Sequence, residues 1–166
     1  MRPLSMRENN MAGIDTSLLK PELVFFDFEA TDRMDLFTKL GAVLAERGYV
    51  KDTWLDAILD RENNYPTGLA CEAVQVALPH VDPQHLAKPY IAIVKPKSTV
   101  RFDGMAGSGP VDAQLVINLG LLAHAEDQVG VLQAFLGIFI DAEATKEIMA
   151  QTDAQAMIDT VVKYCG

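Results

Sequence analysis

Short runs of β-branched and aromatic residues alternate along this chain with stretches whose apolar residues recur at helical spacing. That alternation confines it to a mixed α/β architecture. Leu23–Phe28 reads as a first strand. Thr31 or Asp32 then offers an N-cap, Met34, Phe37, Leu40 and Leu44 follow at helical spacing, and Gly48 supplies a stop. After a short linker at Tyr49–Lys51, Asp52 is expected to cap a second helix with Leu55, Ile58 and Leu59 inward. Pro66, Thr67 and Gly68 make a turn, and Val74, Val76 and Leu78 alternate as a strand that Pro79 ends. Tyr90–Lys95 and Leu115–Leu119 read as two more strands, separated by a small-residue loop over Gly104–Pro110. A helix from about Asp127 to Ile140 carries Val129, Leu132, Leu136 and Phe139, and Glu143–Met149 and Asp153–Tyr164 are further helical segments. Some strands follow one another with short connections, so the expected sheet is mixed, parallel and antiparallel, with helices on both faces.

A length of 166 residues fits one domain with a sizeable core. Residues 1–20 pattern weakly and are expected to be a partly ordered lead to a domain over 21–166. No apolar run approaches the roughly 20 residues of a membrane span. Arg2 and Arg7 are not followed by an apolar stretch, so no signal peptide is expected. Any work at a membrane would then go through a partner. Lys and Arg number 14 against 23 Asp and Glu, a net charge of −9 without a basic run, which argues against nucleic-acid binding. Cys71 and Cys165 are too far apart in sequence for a CxxC motif and read as free thiols, consistent with a cytoplasmic location.

Neither GxxxxGK[ST] nor GxGxxG nor a GxSxG elbow occurs, and Gly107–Ser108–Gly109 is only a turn before Pro110. His80, His85 and His124 lack metal-ligand spacing, so neither metal nor cofactor is expected. His80 stands differently: Pro79 places it where the backbone leaves the sheet. An imidazole there is accessible to a protein partner and, with a reference pKa near 6.5, largely neutral around pH 7. Such a ring is a competent nucleophile. Read alone, a histidine after a strand is more often structural, and Arg61 more often a helix-end residue pairing with Glu62 or Asp60.

The surrounding residues change that balance. Arg61-Glu62, then Pro66-Thr67-Gly68, then Val76-Ala77-Leu78-Pro79-His80 resemble, in this order, the enzyme IIA domains of the bacterial phosphoenolpyruvate-dependent sugar phosphotransferase system, fructose/mannitol class. Asp52-Thr53-Trp54 and the residues around Gln128 look most like the galactitol-type branch, and the resemblance spans about Leu23 to Tyr164. It implies the mannitol/fructose-type enzyme IIA fold and a phosphotransferase role. His80 would be the phosphoacceptor and Arg61 the phosphate-stabilising guanidinium, with Thr67 either a supporting donor or only a turn former. Many mannitol-class members carry a second histidine at the start of a late helix. Lining up Asp127-Gln128-Val129 with that start puts Gln128 there, while His124 lies one turn too early. A glutamine amide donates a hydrogen bond but relays no proton.

The resemblance implies HPr as donor, enzyme IIB as acceptor by way of a cysteine, and membrane enzyme IIC as the transporter that IIB serves. A regulatory module, in which phosphorylation of His80 switches binding to a target protein, is the alternative. A plain interaction domain without phosphoryl chemistry is a third reading.

Overall fold

The computed structural model describes residues 14–122 and 125–165. Residues 1–13 of the expected lead, and His124, lie outside them. A short 3-10 turn at Thr16–Leu18 leads into β1, Leu19–Phe28, which therefore begins four residues before the expected Leu23. Helix α1, Arg33–Glu46, is capped by the Asp32 carboxylate, which accepts from the Asp35 amide at 2.8 Å. Gly48 closes it with a φ of 80°, a left-handed conformation suited to glycine, while the Tyr49 amide donates to the Leu44 carbonyl at 2.9 Å. Its buried stripe is Leu36, Phe37, Leu40 and Leu44. Met34, expected inward, lies about 100° round the helix from the centre of that stripe and is exposed.

Helix α2 spans Trp54–Asn64. Its N-cap is Thr53 rather than Asp52, without a side-chain capping bond. Trp54 and Ile58 are its fully buried apolar residues, whereas Leu55 and Leu59 are half-buried. Strands β2, Gly68–Ala70, and β3, Gln75–Ala77, then form a tight antiparallel pair. β4 covers Tyr90–Pro96 and β7 Leu115–Gly120. Between them β5, Val100–Asp103, and β6, Pro110–Ala113, make a hairpin that the sequence reading missed, taking its tip for a plain loop. Helices α3, Ala125–Phe139, α4, Ala142–Met149, and α5, Ala154–Cys165, complete the chain.

The main sheet has the order β1-β4-β7-β3-β2. β1 runs parallel to β4, and β7 parallel to β3; β4 runs antiparallel to β7, and β3 to β2. The sheet is therefore mixed, as expected. Alternation along the central strands divides the core into two layers. Ile91, Ile93, Leu115, Ile117 and Leu119 pack with Phe135, Ile138, Ile148 and Met157 of α3, α4 and α5. Tyr90, Ala92, Val94 and Val116 pack instead with Leu40, Trp54, Ile58 and Phe102 of α1, α2 and the hairpin. Helices thus cover both faces. The buried side of α3 is Val131, Phe135, Ile138 and Phe139, and Val129, expected inward, projects more than about 100° away and is exposed. Cys71 is half-buried against the first layer, and neither cysteine is in a disulfide.

Tyr90 sits opposite Gly120 in the β4–β7 register, and its ring occupies the space a Cβ on Gly120 would need. We expect Gly120→Ala to lower stability by about 1–3 kcal/mol through overpacking. This would be read as a lower urea midpoint at unchanged slope; an unchanged midpoint would show that the ring moves aside freely.

Candidate functional site

The sheet delivers His80 to its position through three residues in succession. Leu78 follows β3 and donates its amide to the Thr67 hydroxyl at 3.2 Å and, more weakly, to the Thr67 carbonyl at 3.4 Å. Pro79, which has no amide hydrogen, offers only its carbonyl. That carbonyl accepts from the Leu119 amide and from Asn118 Nδ2, each at 3.0 Å. Asn118 is fully buried, and its own Oδ1 accepts from the Tyr90 hydroxyl at 2.7 Å. His80 makes an isolated parallel bridge to Leu119 at the point where the two strands part.

The His80 ring is half-buried rather than sealed in the core. Its Nδ1 lies 2.9 Å from the Leu78 carbonyl oxygen. A carbonyl can only accept, so Nδ1 carries the hydrogen and Nε2 presents a lone pair. Burial holds the imidazole pKa below 6.5. The Leu78 carbonyl opposes that by raising it, the Arg61 charge lowers it further, and the Asp82 carboxylate raises it. The net result is a neutral ring in one tautomer.

Arg61 stands in the last turn of α2. Its Nη1 is 3.3 Å from Asp82 Oδ1, and its guanidinium lies 5.7 Å from the Tyr65 ring centroid. The partner is neither Glu62 nor Asp60, the two that helix-end geometry favours. Its Nε is buried without a hydrogen-bond partner. The Arg61–Asp82 pair is loose: the two side chains are 34% and 63% exposed, and such pairs contribute at most about 1 kcal/mol. A guanidinium held this way can turn to a dianionic group bonded to the nearby imidazole at little cost.

Thr67 is buried, and its hydroxyl is already engaged. It donates to Glu62 Oε1 at 2.9 Å and receives the Leu78 amide, while the Thr67 amide donates to Glu62 Oε2 at 2.7 Å. Gln128 is buried in the first turn of α3. His85, in the turn Pro83–His85, has its Nδ1 2.9 Å from the Thr53 hydroxyl and lines the cleft beside Arg61. The residues that sequence reasoning missed are Asp82, two positions beyond His80, and Asn118, a polar residue inside a buried strand. Beside Arg61 an open cleft of about 640 Å³ is lined by Asp56, Asp60, Tyr65, Asp82 and His85. Among the described residues no group of His, Cys, Asp and Glu is arranged to hold a metal ion, and no helix is long and apolar enough to cross a membrane. Chemically, the site offers one neutral nucleophilic nitrogen with a cation beside it.

Comparison with known proteins identifies the family. The chain is 27% identical over 124 residues to the galactitol-specific EIIA component of the phosphotransferase system of Escherichia coli K12, covering 75% of this chain and 82% of that protein. Its fold matches the mannitol enzyme IIA of Escherichia coli, solved in complex with phosphorylated enzyme IIB (TM-score 0.69, 22% identity, 87% of this chain and 97% of that one). It also matches the nitrogen regulatory protein IIA-Ntr of Neisseria meningitidis (TM-score 0.74, 20% identity, 88% and 97%). The family model for the phosphoenolpyruvate-dependent sugar phosphotransferase system, EIIA 2, matches residues 17–164. The chain therefore belongs to that EIIA family of phosphoryl carriers.

Proposed function

We propose that His80 accepts a phosphoryl group from phosphorylated HPr and passes it to a cognate enzyme IIB, in the uptake of a galactitol-like sugar or polyol through enzyme IIC. The observation that carries this reading is the contact between His80 Nδ1 and the Leu78 carbonyl, which leaves Nε2 as the free nucleophile beside a guanidinium. In the step itself the Nε2 lone pair attacks phosphorus as the bond to the donor breaks, and the donor atom keeps the electron pair of that bond. Nδ1 keeps its hydrogen throughout. Arg61 leaves Asp82 for the phosphoryl oxygens, where charge is densest. Gln128 adds an amide donor, and Thr67 acts through Leu78 rather than on phosphate. Transfer onward to enzyme IIB repeats the displacement in the opposite direction.

Partner docking fits the exposed apolar side chains of Tyr65, Leu122 and Val129, carried by the segments around the site. The likeness to a galactitol-specific relative favours the galactitol branch, and the complex of a related fold with phosphorylated enzyme IIB favours that acceptor. These partners act in the cytoplasm. A purely regulatory module would hold the group without handing it to enzyme IIB.

Incubated with phosphoenolpyruvate, enzyme I and HPr, the protein is expected to gain the mass of one phosphate. His80→Ala should abolish the gain, and His85→Ala and His124→Ala should keep it. Labelling that persists in His80→Ala would defeat the assignment. Arg61→Ala should slow transfer roughly 100-fold or more, by analogy with the loss of one charge-stabilising donor, with an unchanged thermal transition.

The reading also requires a neutral ring. In an NMR titration the His80 midpoint should fall below 6.5. Arg61→Gln should raise it and Asp82→Asn lower it; opposite movements would contradict the charge arrangement. Because the folded pKa is depressed, this group's contribution to stability is fully present above about pH 6.5 and is lost as pH falls through the lower folded value.

A further inference from the structure

Glu62 is 2% exposed, an unusual setting for a carboxylate in the last turn of a helix. Burial raises its pKa, the two Thr67 donors and the Arg33 charge pull it back, and Asp103 adds to the rise. The position is costly on two counts, desolvation and the negative end of the helix dipole. Nor is the carboxylate needed to finish the helix, because the Tyr65 amide already donates to the Arg61 carbonyl at 2.7 Å. Among the described residues its bonds go to Thr67, from the amide at 2.7 Å and from the hydroxyl at 2.9 and 3.2 Å.

A threonine hydroxyl has one hydrogen. Glu62 takes it, so the oxygen lone pairs are left to receive the Leu78 amide at 3.2 Å. Leu78 held at its amide presents its carbonyl to His80 Nδ1 at 2.9 Å. A hydroxyl released from Glu62 could rotate and donate elsewhere, and the hold on Leu78 would weaken. Glu62 is also the immediate neighbour of Arg61. One buried side chain therefore connects the helix turn bearing the cation to the strand end bearing the nucleophile.

We propose that Glu62 is a positioning residue for phosphoryl transfer: through Thr67 and Leu78 it sets the tautomer of His80 and the placement of Arg61 relative to the ring. This rests on the phosphocarrier reading of His80 for its consequence, but not for its geometry. It touches neither phosphate nor partner. A purely structural Glu62 would stabilise the α2–β2 turn and leave the ring alone.

The test uses the full chain and the variants Glu62→Gln, Thr67→Val and Thr67→Ser. Long-range 1H–15N spectra of the His80 ring, recorded without any donor, read the tautomer. Single-turnover transfer from phosphorylated HPr reads the rate. We expect the wild type and Thr67→Ser to show the Nδ1–H form. Glu62→Gln and Thr67→Val should show a mixture with Nε2–H, with a maximal rate about 10- to 100-fold lower at little-changed half-saturating donor concentration. Folded Glu62→Gln and Thr67→Val proteins with a wild-type ring spectrum and rate would overturn the proposal. So would loss of folding in both, since that is what a purely structural role produces. A wild type that takes no label on His80 would sink the phosphocarrier reading, while the ring spectra would still decide the positioning role.

Discussion

The hydrogen bond from His80 Nδ1 to the Leu78 carbonyl, two residues earlier in the chain, is the contact on which the proposed chemistry turns. It spans 2.9 Å, it is local, and it would form in few backbone conformations. A strand end that stops at a proline provides one of them, because Pro79 cannot continue the ladder and its carbonyl is taken by Asn118 and Leu119. The sheet order matters for the same reason. β3 lies between β2 and β7, so the residues just past it are held from both sides. Thr67, three positions beyond α2, grips Leu78, and Asn118 of β7 grips Pro79. The Leu78 carbonyl orients the ring, which stays partly exposed.

Charge around the ring is arranged with similar economy. Burial and Arg61 both disfavour the imidazolium, while Asp82 works against them. An imidazole that protonated readily would lose its nucleophilic lone pair, so in the proposed mechanism Arg61 keeps the ring neutral before it meets the phosphoryl group. Asp82 occupies the guanidinium in the meantime through a pair too exposed to bind it firmly.

Much of this was legible in the residues and some was not. The ordered set Arg61-Glu62, Pro66-Thr67-Gly68, Pro79-His80 was legible through its resemblance to the enzyme IIA family, and the structure packs Glu62, Thr67 and Leu78 together beside His80. The central strands were legible because both faces are buried, leaving continuous β-branched runs. The β5–β6 hairpin escaped because its strands are only four residues each, so the strand-like alternation at Val100-Arg101-Phe102-Asp103 is too short to stand out beside the small-residue loop. Met34 and Val129 were placed inward because each is apolar and within a turn of a core residue; the true stripes are narrower. Asn118 and Asp82 could not be found by pattern. A polar residue in a buried strand reads only as an interruption, and a carboxylate two positions beyond a histidine acquires a role only once α2 is packed beside it. The tautomer, too, depends on a torsion that spacing does not encode.

That torsion makes the central claim open to a direct reading. With Nδ1 donating to Leu78, only Nε2 can attack, so 15N and 31P NMR of the phosphorylated protein should show the phosphorus coupled to Nε2 of His80 with Nδ1 still protonated. Phosphorus found on Nδ1 would mean that the Leu78 carbonyl does not hold the ring in the reactive state, and the mechanism built on that bond would fall.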